Sequence, residues 1–444
     1  VGDALIAGLF AVMLTCGLAG CSSDLGGGGS AAGVAVDGGE ADSFGSASDS
    51  GEAASFAEVA AAFDASALDL DYSKRDADAS YDDASAVHIV LGGGSASVEG
   101  DGATVDGSTV TISTEGVYVV SGSLDDGQLA VEAPEDAKVQ IVLAGATIHN
   151  EDGPAVYVKQ ADKCFITLAD GTQNALTDGA EYVLEDGSDE PYATLFSRAD
   201  LTLNGTGALT VTSAYRHAVC SKDDLVITGG TYVVNAVEDA LRGRDCVKIA
   251  DGDFTLIAGG DGIKSNKDTK ATKGFVSIDG GTFVIEAGDD GIHAQTYLRI
   301  AGGDISIAAV DDALHSNLEG LLAGGALDIE AGDDAFHAET KLVIDDGTVN
   351  VKACYEGYEA EKLYINGGDT HIVASDDAIN AAAADLGDDG ADAAADASAE
   401  APGSEGGTLP DGMEAPEGAP DGMTPPDGVN GMDGEAPELP EGAE

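Results

Sequence analysis

The sequence predicts an all-β chain wound as a single-stranded parallel β-helix, and three observations carry that prediction. Between about residues 86 and 382, short β-branched runs such as "TVTIS", "VQIVLAG", "LVITGG", "LRIAGG" and "LYINGG" alternate with Gly/Asp turns. Their period is two rather than 3.6, the signature of strands. The phrase "GDDGIHA" at 288–294 returns as "VDDALHS" at 310–316, "GDDAFHA" at 332–338 and "SDDAINA" at 375–381. Aligned on its second aspartate, the repeat puts His217, Asp239, Asp261, Asp290, Asp312, Asp334, Glu356 and Asp377 in register, at steps of 22, 22, 29, 22, 22, 22 and 21 residues. A unit of about 22 residues with three short strands and no helix signal is one coil of such a solenoid. Propeller repeats are about twice as long, and leucine-rich repeats would show their leucine spacing. Right-handed winding is expected for parallel crossovers.

Taken from the N-terminus, the first element is a short apolar run, residues 4–20, ending in Leu18-Ala19-Gly20-Cys21. It is too short to span a bilayer and reads as a secretory signal over residues 1–20. Its end resembles a bacterial lipobox, which implies lipidation of Cys21 and a protein on the extracellular side of a bacterial membrane, held there by the lipid alone. Residues 21–69 begin with a Gly/Ser/Ala/Asp stretch that cannot bury a core and is expected to be a flexible tether, with a short helix possible near "FAEVAAAF". The β-helix is expected over residues 70–384. Within it, Ile263, Ile292, Leu314, Phe336, Tyr358 and Ile379 form one rank expected to point inward. The pairs Gly229–Gly230, Gly280–Gly281, Gly302–Gly303, Gly324–Gly325 and Gly367–Gly368 mark a second turn, and the one long step contains the insertion "KDTKATK" at 267–273. Residues 385–444 hold eight of the eleven prolines and read as a disordered acidic tail.

The bulk chemistry excludes one class of partner. Against 82 acidic residues stand 19 basic ones, a formal charge of −63, so nucleic acid is not an expected ligand. An anionic polymer would need intervening cations. Cys164, Cys220, Cys246 and Cys354 show no metal-ligand spacing and are expected to be single buried thiols. The chain is expected to act as a monomer.

Stacked coils place equivalent residues about 4.8 Å apart. Asp289, Asp311, Asp333 and Asp376 then form one acidic file, and Asp239, Asp261, Asp290, Asp312, Asp334 and Asp377 an adjacent one. Carboxylates at that spacing repel by roughly 1 kcal/mol per pair in water. Ca²⁺ between them would relieve this, since its oxygen distances of about 2.3–2.6 Å reach both neighbours. Asp also closes ordinary turns without any ion, so a solvated acidic corner stays open as the alternative. The coil carrying Tyr355-Glu356 is expected to bind such an ion poorly. Three residues beyond the acids run Arg242, Lys264, His293, His315 and His337, and two residues further Arg244, Gln295 and Asn317. Alternation points both ranks outward. Together they offer donors and acceptors along the coils, a pattern suited to an extended polysaccharide; an ordinary solvated face is the plainer reading of any one of them.

The phrases "SKRDADASYD" (73–82), "VYVKQADKCFITLADG" (156–171), "SKDDLVITGGT" (221–231), "GGDGIKSN" (259–266) and "GDDGIHA" resemble the parallel β-helix carbohydrate-binding domain family of bacterial surface proteins, over roughly residues 70–380. The resemblance implies calcium-containing coils, a pectate-lyase-like fold and binding of plant cell-wall polysaccharides, pectic acids among them, without known catalysis. His217, Cys220 and Tyr355-Glu356 depart from the pattern. A non-catalytic polysaccharide binder is therefore the leading expectation. A polysaccharide lyase using Arg242, Arg244 or Lys264 beside calcium, and a structural stalk or adhesin, are the alternatives.

Overall fold

The computed structural model describes residues 54–184 and 187–383. The expected signal, Cys21, the tether up to residue 53 and the tail lie outside the described residues. Each regular coil lays down three strands, as in Ile292–Ala294, Tyr297–Ile300 and Asp304–Ala309. Each pairs in parallel with its counterpart one coil on: Ile292 with Leu314, Tyr297 with Glu319, Asp304 with Ala326. The result is a three-faced solenoid of about 12 turns of about 23 residues, with 3% helix. The face that begins with the short strands after each DD phrase is called the first face here, and the other two follow it in chain order.

The register read from the repeat holds. Leu241, Ile263, Ile292 and Leu314 pair in sequence along the first face, as do Phe336, Tyr358 and Ile379. All but the last are buried, whereas Ile379 is exposed because no described coil stacks beyond it. On the third face Tyr232, Phe254 and Phe283 stack with ring centroids 5.1 and 4.5 Å apart and planes within 12°. Burying each such ring contributes about 1.5–3 kcal/mol. The turn between second and third faces needs its second glycine. Gly281 sits at φ +106°, and a Cβ there would lie 2.7 Å from the Gly252 carbonyl oxygen. The insertion at 267–273 joins Ile263–Ser265 to Phe275–Ile278, and pairing on both sides continues past it. All four described cysteines are free and buried.

Two parts of the body are not regular coils. The solenoid opens with antiparallel pairs, Val87–Gly93 with Ala96–Glu99 and Ala103–Asp106 with Thr109–Ile112, before parallel winding begins. Ahead of them, residues 54–86 run across several coils of the second face. This segment starts with the helix Phe56–Ala62, closed by a capping box between Ser55 and Glu58. Phe63, Leu68 and Leu70 then pack on Cys246, Phe275 and Tyr297. Further along, buried Asp76 takes hydrogen bonds from Thr202 and the backbone of Ser73 and an ion pair from Lys163. The tether boundary drawn at residue 69 thus falls inside an ordered, packed segment.

Candidate functional site

The DD phrase forms the turn that leads onto the first face, and its two aspartates have different surroundings. The second is buried in coil after coil: Asp239, Asp261, Asp290, Asp312 and Asp334 are each 5% exposed or less. The first four lend Oδ1 to the backbone N–H of the counterpart in the next coil. Asp239 accepts from Asp261 (3.1 Å), Asp261 from Asp290 (3.0 Å), Asp290 from Asp312 (3.1 Å) and Asp312 from Asp334 (2.7 Å). His217 starts the series by accepting from the Asp239 N–H through Nδ1 at 3.1 Å. Such charge-assisted bonds are worth about 1.5–3 kcal/mol each. They give the recurrence of aspartate a structural cause.

A buried carboxylate also needs a counter-charge, and the basic rank three residues on supplies it. Arg242 Nη1 lies 3.1 Å from Asp239 Oδ2, His293 Nδ1 lies 3.0 Å from Asp290 Oδ2, and His315 Nδ1 lies 2.7 Å from Asp312 Oδ2. Lys264 pairs with Asp261 in the same way. His337 Nδ1 leans back to Asp312 Oδ2 at 3.5 Å and stands 3.9 Å from Asp334 Oδ2. Burial would raise Asp312, but hydrogen bonds from His315 and His337 hold it well below the usual carboxylate range. Conversely, burial would lower His315, yet its bond to Asp312 and the charges of Asp290 and Glu339 raise it to about 10. His217, by contrast, is pushed down to about 3 by burial. The basic residues from Arg242 to His337, expected to face a glycan, and the buried aspartates from Asp239 to Asp334, expected to hold metal, therefore stand against one another in one file. Arg242 is buried, and Lys264, His293, His315 and His337 are half-buried rather than open.

The first aspartate of each phrase stays at the surface. Asp289 is half-buried, while Asp311, Asp333 and Asp376 are exposed, as is Asp377. Carboxylate oxygens of Asp289, Asp290 and Asp311 lie within 4.8 Å of one another, and so do those of Asp311, Asp312 and Asp333. Partial burial and the charges of Asp312, Asp290, Asp289 and Asp333 push Asp311 up to about 6. Acid also accumulates where the histidines end. Ligand atoms of Asp334, His337 and Glu359 lie within 4.8 Å of one another, and Glu356, 8% exposed, has a buried Oε2 with no hydrogen-bond partner. Burial raises Asp334, with Asp312 and Glu359 adding to it.

The rank two residues beyond the basic one also lies where alternation places it. Arg244, Gln295, Asn317 and Glu339 follow one another on the first face, each half-buried, with backbone bonds to the preceding coil. Followed upstream, the rank continues as Lys222, Arg198 and Lys159. It changes character along the axis: Lys159, Arg198, Lys222 and Arg244 are basic, Asn266, Gln295 and Asn317 are neutral, and Glu339 and Glu361 are acidic. At its basic end opens a cleft of about 510 Å³ lined by Tyr157, Lys159, Tyr182, Glu190, Arg198, Asp126 and Asp152 among others. The repeat did not reveal this cleft because upstream coils differ in length. Its trace in the sequence is an aromatic or small residue two positions before a base, in "YVK", "FSR" and "CSK".

Known proteins share this architecture. A solved structure described as the polysaccharide lyase-like protein from C. thermocellum, in a gadolinium derivative, matches with a TM-score of 0.50 and 33% identity, over 55% of this chain and 95% of that one. A carbohydrate-binding domain-containing protein of Acetivibrio thermocellus is 38% identical over 120 residues, which are 27% of this chain and 42% of that relative's length. The family model for carbohydrate-binding domain-containing proteins matches residues 106–320 and 311–398, more than half of the sequence, and the chain belongs to that family.

Proposed function

We propose that the chain is a non-catalytic polysaccharide-binding module of the bacterial surface, anchored through Cys21, which takes acidic plant-wall polysaccharide on its first face with Ca²⁺ held by the outer aspartates. The observation that carries the non-catalytic reading is the pairing of Arg242, Lys264, His293 and His315, one after another along the first face, with a buried aspartate. A lyase needs a basic residue free to abstract a proton. Burial would lower Lys264, but Asp261 and Asp239 hold its proton more firmly than in a free lysine. Arg242 is locked against Asp239.

The metal reading rests on donor chemistry. The sets Asp289/Asp290/Asp311 and Asp311/Asp312/Asp333 offer only carboxylate oxygens, which suit a hard cation such as Ca²⁺. The polysaccharide lyase-like relative was obtained as a gadolinium derivative, and trivalent gadolinium is likewise a hard, oxygen-seeking ion. A third candidate position is formed by Asp334, His337 and Glu359, whose ligand atoms lie within 4.8 Å of one another, with the unpartnered Oε2 of Glu356 in the coil that follows Asp334. Bound cations would neutralise the outer file and strengthen attraction for a polyanion.

Calorimetric titration of the chelated full chain with Ca²⁺, then with polygalacturonate in the presence and absence of calcium, tests this. The expected result is calcium uptake reduced by Asp311→Asn, and polymer binding that calcium strengthens. Calcium uptake without polymer binding would leave the aspartates as structural staples and favour a stalk. No uptake at all would overturn the metal reading.

A further inference from the structure

The bases of the cleft differ from those further along the face. Downstream, the bases of the neighbouring rank, Arg242 and Lys264, pair with the buried aspartate ladder. In the cleft the bases pair with glutamates outside that ladder: Lys159 Nζ with Glu132 Oε1 at 2.7 Å, and Arg198 Nε with Glu190 Oε2 at 3.0 Å, with Lys222 also bound to Glu190. Arg198 is held only through Nε, so its two terminal nitrogens have no partner among the described residues. It is an exposed residue beside the cleft, and its guanidinium lies 5.5 Å from the Tyr157 ring centroid; the Lys159 ammonium lies 5.4 Å from the same centroid. Two cations are thereby gathered about one aromatic ring. The wall carries a second aromatic, Tyr182, stacked on Tyr215 with centroids 4.2 Å apart and fixed by its hydroxyl, which donates to Asp178 at 2.6 Å. On a chain with 82 acids and 19 bases, four consecutive bases in one rank form a marked local exception.

We propose that this cleft is a calcium-independent subsite for one uronate unit of a polysaccharide, with the sugar carboxylate on the free end of the Arg198 guanidinium and on Lys159, and the sugar ring against Tyr182. The proposal rests on the carbohydrate-binding reading and adds to it a place and a ligand chemistry. A guanidinium fork with both terminal nitrogens available matches the two oxygens of a carboxylate. Glu190 orients that fork by occupying Nε. An aromatic wall offers the apolar side of a pyranose a flat contact. Asp126 and Asp152, which also line the cleft, accept hydroxyl hydrogens and disfavour a second carboxylate nearby. The site therefore takes one acidic unit rather than a run of charge.

The test uses the full chain with polygalacturonate oligomers and their methyl-esterified counterparts, by calorimetry in excess chelator and in calcium. In chelator, Arg198→Ala is expected to weaken oligomer binding by about tenfold or more, the loss of one charge-assisted contact. Lys159→Ala is expected to do less, and Arg198→Lys to fall between wild type and alanine. Esterified oligomers should bind wild type no better than the acid form binds Arg198→Ala. Wild-type binding by Arg198→Ala and Lys159→Ala, or equal binding of esterified oligomers, would overturn the subsite while leaving the general reading intact. No polysaccharide binding by wild type in either condition would overturn both.

Discussion

Two histidines in one solenoid are held in opposite states by what lies within a few ångströms of each. His217 accepts the Asp239 N–H at Nδ1, so that nitrogen carries no proton, while Nε2 faces Glu238 Oε2 at 3.2 Å. Burial outweighs the nearby acids and pushes the ring from 6.5 to about 3. Between those values an unfolded chain binds a proton that the fold refuses, so this residue's contribution is lost as pH falls from 6.5 toward 3. His315 behaves in reverse. Its bond to Asp312 raises it to about 10, so its contribution is complete below 6.5 and is lost as pH rises through about 10. Imidazole proton resonances of the chelated chain, followed from about pH 4 to about pH 9, should show His217 neutral throughout and His315 charged throughout. A midpoint near 6.5 for either ring would contradict the ladder geometry.

Among elements, the segment 54–86 is fixed to the coils by apolar packing around Leu68 and by one buried polar anchor, Asp76. Asp76 joins it to the second face by binding Lys163 at 2.7 Å and Thr202 at 2.7 Å, while its carbonyl oxygen accepts from Asn204 and Thr228. Removing one partner of a buried ion pair costs about 3–5 kcal/mol. Asp76→Ala is expected to lower the denaturant midpoint and expose residues 54–86 to limited proteolysis, and Asp76→Asn to do so less. Unchanged proteolysis of both variants would show that apolar packing around Leu68 suffices. The sequence phrase containing Asp76 was recognisable, but its docking was not, because contacts 126 residues apart leave no periodic trace. The coils from residue 217 onward were legible for the opposite reason: a one-residue slip there would turn Ile292 out and His293 in. What periodicity missed was the link between ranks. It separated Asp312 from His315, whereas the turn folds the carboxylate back to 2.7 Å from the ring. The cleft at Arg198 escaped because Val156 and Leu195, paired neighbours, stand 39 residues apart, and no fixed step reaches from one to the other.

For the whole molecule, a formal charge of −63 sets two separable contributions to stability. Diffuse repulsion acts across the surface and is screened with a Debye length of about 10 Å at 0.1 M salt. Repulsion within the outer acidic file acts at coil spacing, about 4.8 Å, where mobile ions screen poorly and a ligated ion works better. Sodium chloride should therefore raise the melting temperature gradually and by similar amounts in wild type and in Asp311→Asn. Calcium that binds only the folded chain adds RT ln(1 + [Ca²⁺]/Kd), about 2.7 kcal/mol at one hundred times Kd. It should shift wild type by several degrees beyond sodium chloride of equal ionic strength. Asp311→Asn should lose most of that excess, because Asp311 belongs to both all-carboxylate sets. Arg198→Ala should keep it, since its side chain pairs with Glu190 away from those sets. Equal shifts from calcium and from matched sodium chloride would reduce the acidic file to a screened surface. A calcium excess that survives Asp311→Asn would move the ion to the cluster of Asp334, His337 and Glu359.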